Sequence, residues 1–307
     1  MSQSRLAEAE YSKLASNPIL IESYFIKEKK NSNNNLNKVN GVIYSVISHL
    51  MKIPTKKYSP VKRQMLVALF LLFRKGIDKL ILLGDLVAKG PDSIGVIRRA
   101  MELEAIGVRG NHDDLVLRWY NYFKLNPNVN INDMDPADFP YKDFRVGGEH
   151  KDIARKLSVE EYNYLVSFPS MLKFQLDAPD NNVIIAVHGG LDPSKNLYEQ
   201  SPSLVMRMRN ILETGEPVEK KKFGGKAWFK VFNNEKENMI LNKNTPSSVQ
   251  NIKAVLYGHD ASRNLQLKKF TKGLDTGCVY GRQLSAFVYP QEQLVQVEGE
   301  QYQEVKI

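Results

Sequence analysis

Four times along this 307-residue chain, an apolar run of strand length stops at a glycine with a polar, ligand-bearing side chain beside it. The stretches are ILLGDLVAKGP, IGVRGNHDD, IIAVHGGLDP and AVLYGHDAS. Such runs belong inside a layered α/β protein, where sheets are covered on their faces. Ligand sites of open α/β sheets lie just beyond the carboxyl ends of the strands, and glycine lets the backbone turn sharply there. The pattern makes Asp85, Asn111, His188 and His259 candidate metal ligands, with His112 next to Asn111. A lone aspartate after a strand is ordinarily a turn or cap residue, and a lone histidine beside glycine a loop residue. Four such elements, each closing a strand, argue instead for one shared site. Three of the five histidines fall in these stretches, whereas His49 and His150 lack the setting and read as surface or loop residues.

The coarse pattern agrees with an α/β fold. Val61–Arg74 reads as a buried helix, Lys79–Leu83 as a strand, and Asp92–Leu103 as a helix capped by Asp92 or Ser93. Ala105–Val108 reads as a short strand and Asp114–Phe123 as helical. Ser158 and Glu161 have the spacing of a capping box. Compact apolar runs follow at Val183–Val187, Ile252–Tyr257, Leu284–Tyr289 and Leu294–Val297, the last two close enough for a hairpin.

Composition narrows the class further. Cys278 is the single cysteine, which rules out an intramolecular disulfide and a cysteine-built zinc cage. The longest apolar stretch, Met65–Phe73, is far short of the ~18 residues a membrane helix needs, so no membrane span is expected. There is no recognisable signal peptide. The net charge is +9, and residues 1–62 account for +6 of it, with ten Lys and Arg against four Glu. A basic tail of this kind is a solvated one and points to no nucleic-acid partner. The run Asn31–Asn40 is polar and low in complexity, while ILIESYFI and GVIYSVISHL could each be a short strand or helix. Lysines 220–222, 226 and 230 cluster around Trp228 and Phe229, either as a solvated basic loop or as a track for a polyanion.

With GDLVAKGP, RGNHDD, VHGGLDP, RMRN (Arg207–Asn210), YGHDA and GLDTGCVYG (Gly273–Gly281) in this order, the chain resembles the calcineurin-like metallophosphoesterases. The likeness is to the branch of phosphoprotein phosphatases and symmetrical diadenosine tetraphosphatases, and within it to fungal zinc-dependent endopolyphosphatases. The resemblance implies a four-layer α/β sandwich, two mixed sheets flanked by helices. It divides the chain into a divergent, partly disordered segment over 1–60, a phosphoesterase domain over 61–300 and a tail over 301–307. It also implies two divalent cations, zinc, manganese or cobalt. Asp85 would bridge them, and Asn111, His188 and His259 would complete the second ion's shell. His112 would act as general acid, and Arg109, Lys89, Arg207 and Arg209 would face substrate phosphate. Asp275 and Gly277 would shape a loop. The reaction implied is attack of a metal-bound hydroxide on phosphorus, on a polyanionic phosphate such as polyphosphate or a nucleoside polyphosphate. The implied compartment is the fungal vacuole, with the cytoplasm as the alternative.

The chemistry suits these residue types. Paired cations about 3.5–4 Å apart need a bridging oxygen donor, imidazole and amide oxygen suit zinc, manganese or cobalt, and guanidinium grips phosphate bidentately. Two departures matter. Where phosphoprotein phosphatases read Gly-Asp-x-Val-Asp-Arg-Gly, Ala88 and Lys89 stand here. That favours phosphoanhydrides over phosphoproteins as substrates. Upstream, the family's Gly-Asp-x-His-Gly motif is absent. The first aspartate is Asp78, and MKIPTKKYSP (Met51–Pro60) stands in the expected place. Three readings follow. The natural N-terminal region differs from this one, the enzyme works with one metal site, or the protein binds phosphate without catalysis.

Overall fold

The computed structural model describes residues 22–26, 79–176, 182–241, 251–289, 291–299 and 301–302. The helix expected over Val61–Arg74, the Met51–Pro60 stretch and His49 lie outside the described residues.

Strands β1 (Glu22–Ile26), β2 (Ile81–Leu82), β3 (Ile106–Gly107), β4 (Met171–Leu176) and β5 (Val183–Val187) come first. Three short strands follow, β6 (Asn210–Ile211), β7 (Pro217–Val218) and β8 (Lys226–Ala227). The last are β9 (Ile252–Tyr257), β10 (Gln266–Leu267), β11 (Thr271–Gly273), β12 (Gln283–Val288) and β13 (Gln293–Glu298). The helices are α1 (Ser93–Glu102), α2 (Asn111–Leu125), α3 (His150–Lys156), α4 (Val159–Val166), α5 (Pro202–Arg207) and α6 (Trp228–Leu241). The main sheet runs β1-β4-β5-β9-β11-β10 and is mixed, with β5 parallel to β9 and antiparallel to β4. Beside it lie the parallel pair β2–β3 and the antiparallel hairpin β12–β13. The short apolar run at 22–26, ambiguous in sequence, forms an edge strand parallel to β4.

Side-chain alternation shows how these pieces stack. Ile184 and Ala186 of β5 join a core with Phe174 of β4, Leu256 of β9, Ile81 and Leu83 around β2, and Phe287 and Tyr289 around β12. That core is the filling between the main sheet and the β2–β3 and β12–β13 strands. The opposite residues of β5, Val183, Ile185 and Val187, meet Val205 of α5 and Trp228 and Phe232 of α6. On the far side, Leu82, Leu284, Ala286 and Val288 pack against Val96 and Ile97 of α1, Leu117 and Trp119 of α2 and Leu165 of α4. The order helix, sheet, sheet, helix makes a four-layer α/β sandwich, as the resemblance implies. Each fully buried aliphatic or aromatic side chain contributes roughly 1.5–3 kcal/mol to holding the layers together. No helix among the described residues is long and apolar enough to cross a membrane.

Local signals set the helix ends. The Asp92 side chain accepts from Gly95 N at 3.0 Å and starts α1. Ser158 Oγ accepts from Glu161 N, and Glu161 Oε2 accepts from Ser158 N, closing the capping box of α4. The buried Glu161 carboxylate also accepts from Arg98 Nε at 2.6 Å, which pins α4 to α1. Cys278 is buried and its thiol is pushed up to about 12, first by burial and then by Asp275 and Glu298, so it is a packing residue. Ser158→Ala removes one cap acceptor and is expected to lower stability by about 1 kcal/mol. The check is a shifted urea midpoint with an unchanged m-value, and a wild-type midpoint contradicts it.

Candidate metal centre

The four ligand-bearing stretches converge. β2, β3, β5 and β9 end at the same edge of the layered sheets, and the turns after them carry Asp85, Asn111, His188 and His259. One coordinating atom from each of Asp85, His188 and His259 lies within 4.8 Å of the others. Asn111 joins them through Oδ1, 3.2 Å from His188 Nε2. Among the described residues this is the one group of three or more acidic, histidine or cysteine side chains spaced to hold a metal ion.

The imidazole tautomers are set by backbone carbonyls, which only accept. His188 Nδ1–H donates to Leu83 O at 2.6 Å, and Nε2 is left facing Asp85 Oδ2 at 3.2 Å. His259 Nε2–H donates to Arg207 O at 3.1 Å, which leaves Nδ1 with the lone pair a metal would need. Metal-binding histidines are commonly oriented this way. Burial works against ionisation of Asp85, but His188 and His112 outweigh it and hold the carboxyl well below the usual carboxylate range. Burial also works against the His188 cation, but the Asp85 charge prevails and raises it. Burial, followed by His188 and Arg209, pushes His259 well down. An ionised carboxylate, an amide oxygen and two imidazoles are a borderline-soft donor set that fits zinc, manganese or cobalt.

The backbone is bent to achieve this. Asp85 has φ +56°, Ala88 +69°, Lys89 +60° and His259 +69°, all in the left-handed region that costs non-glycine residues energy. What fixes the first of these bends is Asp113, which is fully buried. Its Oδ2 accepts from Asp85 N at 2.8 Å and Gly110 N at 2.9 Å, and its Oδ1 accepts from Leu86 N at 2.8 Å and Val87 N at 3.3 Å. One carboxylate thus stitches the turn after β2 to the turn after β3. Burial, reinforced by the Asp85 charge, raises its carboxyl to about 6, against the pull of the backbone donors. The two turns touch backbone to backbone: a Cβ on Gly84, itself at φ +82°, would lie 2.7 Å from Gly110 N. A Cβ on Gly110 would collide with Asp85.

The helix over Asn111–Leu125 begins three residues before the expected Asp114, so Asn111 and His112 stand on its first turn. His112 N donates to Asp85 Oδ1 at 3.0 Å, and its Nε2 is 3.9 Å from Asp85 Oδ2. Burial, opposed by Asp85, pushes the imidazole down to about 3. His150 corrects the sequence reading. It is not a surface residue: its Nε2 lies 2.7 Å from His112 Nδ1, and the two rings lie edge to edge with centroids 5.0 Å apart and planes 10° apart. The packing of α3 on α2 brings it there, which nothing in its local sequence signals.

Of the expected phosphate-facing residues, Arg109 is 7% exposed, donates from Nη2 to Val166 O at 2.7 Å, and has a buried Nε with no hydrogen-bond partner. Arg109 and Arg207 line a cavity of about 290 Å³ together with Arg118, Asp114 and Asp143. Arg207 Nη2 stands 3.6 Å from both of those carboxylates. Arg118 forks onto Asp143, with both distances at 2.6 Å. Lys89 donates its backbone N–H to Glu149 Oε1 at 2.8 Å. Arg209 is engaged by Asp260, at 2.7 Å, and Lys221 reaches the same carboxylate at 2.8 Å. Asp275 accepts from Gly277 N at 3.1 Å within the loop after β11. Trp228 and Phe229 are core residues against Tyr257, while lysines 220, 222, 226 and 230 are exposed.

This fold, with its ligands gathered at the strand ends, is a metallophosphoesterase architecture. The chain belongs to the calcineurin-like phosphoesterase family, whose sequence profile matches residues 61–270. It is 30% identical over 228 residues to a zinc-dependent endopolyphosphatase of Saccharomyces cerevisiae, covering 67% of this chain and 65% of that protein, so it spans under two thirds of the yeast enzyme's length. It is 24% identical to an asymmetrical bis(5'-nucleosyl)-tetraphosphatase of Bacillus velezensis, covering 72% of this chain and 78% of the relative. It is 26% identical to the Bacillus subtilis counterpart, at 71% and 78%. These bacterial relatives carry the asymmetrical designation, not the symmetrical one. A crystal structure of a candidate diadenosine tetraphosphatase superposes with a TM-score of 0.59 at 26% identity, covering 91% of this chain and 99% of that one.

Replacing Asp113 tests the stitching. Asp113→Ala leaves four buried backbone donors without their acceptor and is expected to cost at least about 3 kcal/mol. Asp113→Asn is expected to be nearly as damaging, because every partner is a donor and the amide nitrogen would face two of them. Chemical denaturation decides, and an Asn variant of wild-type stability contradicts this account.

Proposed function

We propose that this protein is a metal-dependent phosphohydrolase that cleaves phosphoanhydride bonds, with polyphosphate as its substrate class. The observation that carries the reading is the Asp85–Asn111–His188–His259 cluster with the arginine-lined cavity of Arg109 and Arg207 nearby. A divalent cation held by the four ligands would supply a Lewis acid against a phosphoryl oxygen and lower the pKa of water at the site. The residues of the chain do the rest. Arg109 and Arg207 neutralise phosphate charge as it builds in the transition state, Lys89 adds positive charge at the turn, and His112 delivers a proton to the departing oxygen. The exposed lysines 220, 222, 226 and 230 attract the flanking units of a polyanion. Arg209 has a structural part as well, since it is held by Asp260 beside His259.

The likeness to the yeast endopolyphosphatase supports polyphosphate. The likeness to the bacterial enzymes and to the solved structure that matches along 99% of its own length supports a dinucleoside tetraphosphate as the second reading. Ala88, where protein phosphatases of the branch carry an aspartate, weighs against a phosphoprotein. For the compartment, the vacuole follows the resemblance to fungal endopolyphosphatases.

The test loads the purified chain with zinc, manganese or cobalt and offers long-chain polyphosphate, diadenosine tetraphosphate and a phosphopeptide. Expected is metal-dependent cleavage of the two anhydrides, abolished by chelator, with little release from the phosphopeptide. The polyphosphate rate is expected to fall steeply with salt, as contacts to a polyanion do. Preference for the phosphopeptide overturns the substrate class. Tight phosphate binding without turnover under every metal makes the protein a non-catalytic phosphate binder.

A further inference from the structure

We infer that His150 is a positioning residue for the reaction: its Nε2 shares a hydrogen bond with Nδ1 of His112 and so keeps the Nε2 of His112 aimed into the site. The inference rests on the phosphohydrolase reading for its role, and on the geometry of the two rings for its existence.

The two ring nitrogens are 2.7 Å apart, so one proton lies between them. The rings are nearly parallel, at 10°, which keeps them in register along the contact. With either ring as donor, the contact holds the His112 ring in one orientation, with Nε2 on the side of Asp85. As the bond from phosphorus to the leaving oxygen breaks, the histidine pair delivers a proton through His112 Nε2 to that oxygen. The attacking water gives its oxygen to phosphorus, and a proton from water restores the pair.

The surroundings are built to hold this pair. Asp85 Oδ1 accepts the backbone N–H of His112 at 3.0 Å and fixes the backbone from which the ring projects. Ala88, buried at the neighbouring turn, offers no side-chain acceptor. His150 opens α3, and the preceding Glu149 takes the Lys89 N–H at 2.8 Å, so the start of α3 is tied to the strained turn after Asp85. Ile153 and Ala154 bury α3 in the helical core, and Arg155 lies over the Phe123 ring of α2 at 4.4 Å. The helix is thereby anchored on both sides of the contact.

Two measurements on the full chain test this. The first uses metal-loaded wild type, His150→Ala and His150→Gln on 4-nitrophenyl phosphate and phenyl phosphate. A general acid contributes about 10²–10⁴ in rate, and losing its orienting partner is expected to lower kcat by about 10- to 100-fold on phenyl phosphate, with KM changing by about twofold or less. The loss on 4-nitrophenyl phosphate, whose leaving group needs little protonation, is expected to be several times smaller. The Gln variant, whose amide keeps a hydrogen-bond partner for Nδ1, is expected to recover most of the rate. Equal losses on both esters, or a Gln variant no better than Ala, overturn the inference. The second measurement needs no turnover. Long-range ¹H–¹⁵N spectra of the imidazoles are expected to show a single His112 tautomer in the wild type and a tautomer mixture in His150→Ala. A tautomer mixture in the wild type, or a tautomer unmoved by His150→Ala, overturns it. If wild type cleaves neither these esters nor polyphosphate, the phosphohydrolase reading is what has failed, and the spectra still decide the pairing.

Discussion

The whole site hangs on one carboxylate. Asp113, without solvent exposure, binds four backbone N–H groups from two turns that lie 26 to 28 residues away along the chain, apart from its own neighbour Gly110. Without it, the Asp85 turn would have to hold φ +56° unaided, a conformation that costs an ordinary residue of order 1–3 kcal/mol. With it, the candidate ligands Asp85 and Asn111 are set by the same anchor. Asn111 and His112 then come free of charge on the first turn of α2, two positions and one position before Asp113. The glycines on either side, Gly84 and Gly110, are the residues that let these two turns approach closely enough for one side chain to serve both.

The other half of the centre is held by the sheets. His188 is oriented by the Leu83 carbonyl at the end of β2, and Gly258 N donates to the His188 carbonyl at 2.9 Å, which ties the turn after β9 to the turn after β5. His259 is oriented by the Arg207 carbonyl at the end of α5. Each imidazole thus depends on a backbone group from a different layer, so the ligand geometry is a direct readout of layer packing. That is why the three apolar cores matter to function: a shift of the main sheet against β2 and β3 would move His188 relative to Asp85.

Much of this was legible in the sequence, and what was not has identifiable causes. The strands ending at Asp85, His188 and His259 carry their own signal, an apolar run broken by glycine. The capping box at Ser158 is local and was readable for the same reason. Asp113 sits in a motif that draws attention to Asn111 and His112, yet its partners are distant amides that leave no mark in composition. His150 was misread because its pairing is created by α3 packing on α2, and a Gly-Gly-Glu-His stretch resembles an ordinary loop. The stretch around Trp228 and Phe229 reads as a basic loop or a polyanion track, but the first turn of α6 buries both rings in the core while lysines 220, 222, 226 and 230 stay exposed. Arg209 reads as a free phosphate ligand until Asp260, adjacent to His259, is seen to hold it.

The central claim is that Asp85, Asn111, His188 and His259 form a divalent-metal site. Elemental analysis of zinc per chain, after loading and desalting, with wild type and His188→Ala side by side, tests it most directly. The account predicts at least one equivalent in the wild type and its loss in the variant; two equivalents would assign the second ion to residues beyond those gathered here. Zinc-free wild type, or the same zinc content in both proteins, would contradict it.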